Sequence, residues 1–144
     1  MSFAIRHVAP VAFETILREM KIAKGRIPTP PSYQKFFTRL TTLKFGGWEA
    51  VPRASDLRPG HMVSWDHQTE RANGHAEIIA GLPKQMKDGG SEVQVYHATS
   101  TPLAEDSRPT DAPAQIYDLT KRRSGLGHGV MAFTVDSKTG VLTG

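Results

Sequence analysis

Two histidines occupy positions from which strand-borne catalytic histidines could act. His75 opens the segment His75-Ala-Glu-Ile-Ile-Ala80, and His97 lies near the end of Glu92-Val-Gln-Val-Tyr-His-Ala98. If the two segments form an antiparallel hairpin in which Ala80 faces Glu92, then His75 faces His97. Directly opposed residues have Cβ atoms about 4.5–5.5 Å apart. One imidazole can then serve as general base while the other orients it and sets its tautomer. That is the support a thiol or hydroxyl nucleophile requires. The pattern is equally compatible with two histidines satisfied on the surface or in a core, and a one-residue slip would separate their faces.

The other candidates are weaker. His61 and His67 each stand near a turn without a partner at a defined spacing. His61, His75 and His97 together would offer imidazoles that suit zinc, but no HxH or HExxH spacing accompanies them. Gly125-Leu-Gly-His-Gly129 lacks the Lys-Ser/Thr ending of a phosphate loop and precedes a strand signal, so it reads as a flexible turn. No metal and no cofactor are expected. The chain contains no cysteine, which removes disulfides, thiolate nucleophiles and cysteine-ligated metals. Ser2 is a conceivable replacement nucleophile, although a hydroxyl at a frayed chain start lacks the fixed position catalysis needs.

The elements that must position the histidines change character near Gly46-Gly47, with helix signals before and strand signals after. Pro10 fits the first turn of a helix in which Val11, Ile16, Leu17 and Met20 recur at near-helical spacing, closed by Gly25 and the prolines at 28, 30 and 31. Ser32 is placed to cap the next helix. Tyr33, Phe36, Phe37, Leu40 and Leu43 give it one apolar face. Strands are expected at His61–Trp65, His75–Ala80, Glu92–Ala98 and Val130–Val135, with residues 81–91 a loop and residues 99–124 an irregular excursion. Helices first and antiparallel strands afterwards make an α+β domain.

At 144 residues the chain fits one domain, and its hydrophobic share of 38% with 22% charged residues argues against disorder. No stretch approaches the roughly 20 apolar residues of a membrane span. The start, MSFAIRHVAP, does not read as a signal peptide, so an extracytoplasmic location would require a longer precursor. A net charge of +4 favours anionic partners. Nucleic acid is disfavoured, because Trp48 and Trp65 are not interleaved with arginines as a stacking platform requires. The triplet Lys121, Arg122 and Arg123 reads as a solvated loop.

Several of these segments fall in a familiar order. Asp56-Leu-Arg-Pro-Gly60 precedes a strand ending in Trp65, Gly74-His75 opens an apolar strand closed by Gly81, and Tyr96-His97-Ala98-Thr99-Ser100 follows. The order resembles the NlpC-type cysteine hydrolases of the bacterial cell wall. The resemblance spans residues 48–100 and extends weakly to Asp106 with Arg108 and to the glycine-rich run before the last strand. It implies a papain-like fold, N-terminal helices packed on a central antiparallel sheet, with His75 as general base and His97 as the residue orienting it. The implied substrate is a peptidoglycan peptide or another peptide or amide.

Two departures accompany the likeness. The family's Pro-Gly-Asp is Pro-Gly-His here, at His61, and the Cys-Ser that should head the first helix is missing. Met1-Ser2-Phe3-Ala4-Ile5 looks like the body of that helix entered late, which would put the cysteine upstream of Met1, truncate the domain and leave Phe3 and Ile5 exposed. The expectation is therefore a hydrolase-like domain without turnover as given. The alternative is a binding module for an acidic or peptidic ligand.

Overall fold

Proline placement and apolar spacing account for the helices. In the computed structural model, which describes residues 2–65, 74–98, 103–107 and 126–143, the chain forms two compact units. Residues Met1–Ala50 with Val63–Ala76 make a largely helical unit, and residues Val51–Met62 with Glu77–Gly144 make a sheet unit.

The helical unit holds α1 (Ser2–Val8), α2 (Pro10–Glu19) and α3 (Pro30–Leu40). Pro10 occupies the first turn of α2, where a missing N–H costs nothing. That helix buries Phe13, Thr15, Ile16 and Leu17, while Val11, expected on the apolar face, is 77% exposed. It also ends earlier than Gly25. Lys21 adopts φ +54, and its amide and that of Ile22 bond back to the carbonyls of Arg18 and Leu17, which closes the last turn.

Ser32 does not cap α3. The helix begins at Pro30, with extended Thr29 before it, and the Ser32 hydroxyl lies 3.0 Å from that of Thr29. Two prolines in the first turn leave fewer amides in need of a cap. Tyr33, Phe36 and Leu40 form the buried face, while Leu43 falls beyond the helix end and is about half exposed. Around Phe36 gather Phe37, Phe45 and Trp48, with ring centroids 5.4–6.0 Å from it. The indole of Trp48 donates to the carbonyl of Ala12, which ties this cluster to α2. Ile5 on α1 is buried, correcting the expectation that a shortened first helix would expose it; the Phe3 side chain lies outside the described residues.

Five strands form one sheet: β1 (Met62–Trp65), β2 (His75–Ile79), β3 (Lys84–Gln85), β4 (Ser91–His97) and β5 (Gly127–Phe133). The order is β1-β2-β4-β3, and β5 also pairs with β4. The β2, β3 and β5 pairings with β4 are all antiparallel. An α+β class with an antiparallel sheet is thus what the sequence led one to expect. On β4, Ser91, Val93, Val95 and His97 are buried and alternate with more exposed residues, the period of two that marks a half-buried strand.

Two expectations about the strands need correction. Residues 81–91 are not simply a loop, because Lys84 and Gln85 pair with Glu92 and Ser91. The glycine-rich run at 125–129 is not simply a turn, because Gly127, His128 and Gly129 are the first residues of β5, opposite His97, Tyr96 and Val95. No helix among the described residues is long and apolar enough to cross a membrane.

Candidate active site

The register between β2 and β4 decides which side chain meets His97. Ile78 pairs with Tyr96 and Ile79 with Val95, so the next pair along is Glu77 with His97. The expected register, with Ala80 against Glu92, is displaced by two residues. Its cause is a bulge: the amides of Ala80 and Gly81 both point to the carbonyl of Gln94, at 2.7 and 3.3 Å. Beyond it β3 takes Glu92 as a partner. The place opposite His97 therefore belongs to Glu77 rather than to His75.

His97 is 2% exposed, and its Nε2 lies 3.6 Å from Oδ2 of Asp106. That is an ion-pair distance, longer than a direct hydrogen bond. Both side chains are closed to solvent, at 0% and 4% exposure. Asp106 reaches this point because residues 103–107 run beside β5. The amide of Val130 donates to the carbonyl of Ala104, the amide of Ser107 donates to the carbonyl of His128, and the amide of His128 donates to the Ser107 hydroxyl. Glu105 turns the chain with φ +53, and the amide of Leu103 donates to Oδ2 of Asp106 at 3.2 Å.

Gly129 makes that approach possible. A Cβ there would lie 2.8 Å from Cβ of Leu103, 3.1 Å from the carbonyl oxygen of Ala104 and 3.5 Å from Nε2 of His97. The glycine run ahead of the last strand thus has a packing reason: it leaves room for the segment that carries Asp106 to His97.

The buried acid of β2 is Glu77. It is 2% exposed, and its Oε2 has no hydrogen-bond partner among the described residues. Burial pushes its carboxyl up to about 7. An acid in that state can donate or accept a proton near neutrality, which an ordinary glutamate cannot. The sequence reading missed Glu77, although a signal was present: alternation along His75-Ala-Glu-Ile-Ile puts an acid on the same face as buried Ile79.

His75 belongs to the helical unit. It is half-buried, its ring centroid is 5.5 Å from that of Trp65, and its carbonyl lies 2.9 Å from the Ser64 hydroxyl. The same hydroxyl is 2.9 Å from the carbonyl of Pro30. In the sheet unit, Nδ1 of His61 accepts the amide of Arg58, closing the turn before β1. Among the described residues no three His, Asp or Glu side chains converge as a metal site requires. His67, Arg108 and the triplet at 121–123 lie outside the described residues, and so does the Ser2 side chain.

Compared with family models, curated proteins and solved structures, the chain matches none.

Proposed function

We propose that this chain is a papain-like, hydrolase-like domain of the NlpC kind whose ligand is a peptidoglycan peptide and which, having no cysteine, does not cleave it through a thiolate. The observation carrying this reading is the antiparallel pairing of β2, which His75 opens, with β4, which His97 closes. A histidine at the start of one strand and a second, oriented histidine at the end of its neighbour is the arrangement the resemblance implies. Asp106 beside His97 adds a group able to fix the ring. In this reading His75, half-buried, is the residue a ligand meets.

A second reading, a binding module for an acidic ligand, is favoured by the distribution of charge. Residues 1–50 carry eight Lys or Arg against three Asp or Glu. Such an excess attracts polyanions over a distance set by salt.

Binding separates the two readings. Chain with labelled amides is titrated with muropeptides and, separately, with a polyanion of matched charge. The first reading predicts that muropeptide shifts resonances around Gly74–Ala76 and survives 0.3 M salt, because contacts rather than bulk charge hold it. Shifts confined to α2 and α3 that vanish with salt would replace it with the second.

A further inference from the structure

We propose that the outer side of α3, together with the end of α2, is a docking groove for an acidic segment of a peptide or protein partner. It rests on the charge excess behind the second reading above, and adds a place and a ligand class.

The helix sets the place. Gln34 and Thr38, like Lys35 and Arg39, stand four residues apart, so they form two rows on the side of α3 turned away from the buried Tyr33, Phe36 and Leu40. With Met20, which follows α2, these four side chains line an open groove of about 470 Å³ within the helical unit. Clefts that hold ligands span about 300–1,000 Å³.

Charge sets the ligand. The Glu19 carboxylate lies 3.2 Å from Nε of Arg18 and 3.4 Å from Nη2 of Arg39, so one anion serves two guanidinium groups. Lys35 is exposed and has no ion-pair partner among the described residues. The connection from Met20 to α3 adds Lys21, Lys24 and Arg26, all exposed. Between Glu14 and Arg39 the sequence holds six Lys or Arg against two Glu. A surface of this kind draws an anionic partner and repels a cationic one.

Arg39 is held ready. Its Nη1 donates to the carbonyl of Glu19 at 3.0 Å, and its guanidinium carbon sits 4.8 Å from the centroid of the Phe45 ring. A guanidinium fixed on these sides loses little freedom on binding, and it has N–H groups beyond those engaged on Glu19. The half-buried amide of Gln34 offers a donor and an acceptor to a peptide backbone, and the thioether of Met20 offers an apolar contact. A phosphate chain could use the cations but not Met20. Among the described residues no aromatic side chain lines the groove, so a base has nothing to stack on, which sets nucleic acid aside.

The test is calorimetric titration of the whole chain with three probes at fixed salt: a capped peptide of glutamates interrupted by one leucine, the same peptide with glutamine for glutamate, and inorganic polyphosphate. Wild type is compared with Lys35→Glu and with Lys138→Glu, an equal charge change at an exposed site of the sheet unit. We expect the glutamate peptide to bind and its glutamine counterpart not to. Lys35→Glu should weaken the peptide about fivefold more than Lys138→Glu does. Equal weakening by the two variants would overturn the proposal and leave the second reading, attraction by bulk charge, standing. Binding of neither the peptide nor polyphosphate would overturn both. Polyphosphate bound more tightly than the peptide and weakened by Lys35→Glu alone would overturn the peptide assignment. Should Lys35→Glu not fold, amide shifts on wild type decide: shifts at Met20 and residues 34–39 with the peptide sustain the proposal, and shifts elsewhere alone overturn it.

Discussion

Glu77 stands opposite His97 across the β2–β4 ladder, and both side chains are buried. A carboxyl group in that place changes how the two histidine strands are to be understood. The position across the ladder from His97 belongs to an acid of β2, and a second acid, Asp106, reaches the ring at 3.6 Å from a segment that follows β4.

The pairing of His97 with Asp106 is measurable. His97→Gln and Asp106→Asn should be non-additive, with an interaction of about 0.5–3 kcal/mol in a double-mutant cycle, because the ring and the carboxyl group lie 3.6 Å apart and closed to solvent. Urea denaturation of the two single variants and the double variant supplies the numbers. Additivity within about 0.3 kcal/mol would mean that the two side chains do not interact.

Gly129→Ala tests how Asp106 is delivered. The added methyl would fall 2.8 Å from Cβ of Leu103 and 3.1 Å from the Ala104 carbonyl, so residues 103–106 must shift. A loss of about 1–3 kcal/mol is expected, with altered His97 ring resonances. An unchanged His97 spectrum would show that the ring's surroundings do not depend on this close approach.

In the helical unit the aromatic cluster is the main source of packing. Phe36, with 0% exposure and ring contacts to Phe37, Phe45 and Trp48, should cost about 3–5 kcal/mol when replaced by alanine. Tryptophan fluorescence should report the change through Trp48. Val11→Ala, at 77% exposure, should cost less than about 0.5 kcal/mol. A reversed ranking would contradict the burial described above.

These contrasts show what was legible in the sequence. The α3 face of Tyr33, Phe36 and Leu40 and the alternation along β4 could be read directly, because a helix repeats every 3.6 residues and a strand every two. The β2–β4 register could not. It depends on a bulge at Ala80 and Gly81 and on Lys84 and Gln85 pairing with β4, and two inserted residues leave the alternation unchanged while moving every partner. So His97 is legible in the sequence and the residue across the ladder from it is not. Asp106 stood out only weakly, since its approach to His97 depends on a glycine 23 positions further along the chain.

The functional account is tested most directly by muropeptide turnover. Purified chain is incubated with peptidoglycan and muropeptides and the products are resolved by mass, beside a His75→Ala variant and a form extended upstream of Met1 by a helical segment headed Cys-Ser. The account predicts that the cysteine-free chain leaves every peptide bond intact, that the extended form cleaves, and that His75→Ala in the extended form abolishes cleavage, because base and orienting residue are worth about 10²–10⁴-fold only when an attacking atom is present. Cleavage by the cysteine-free chain that disappears in His75→Ala, or a folded extended form that cleaves nothing, would contradict it.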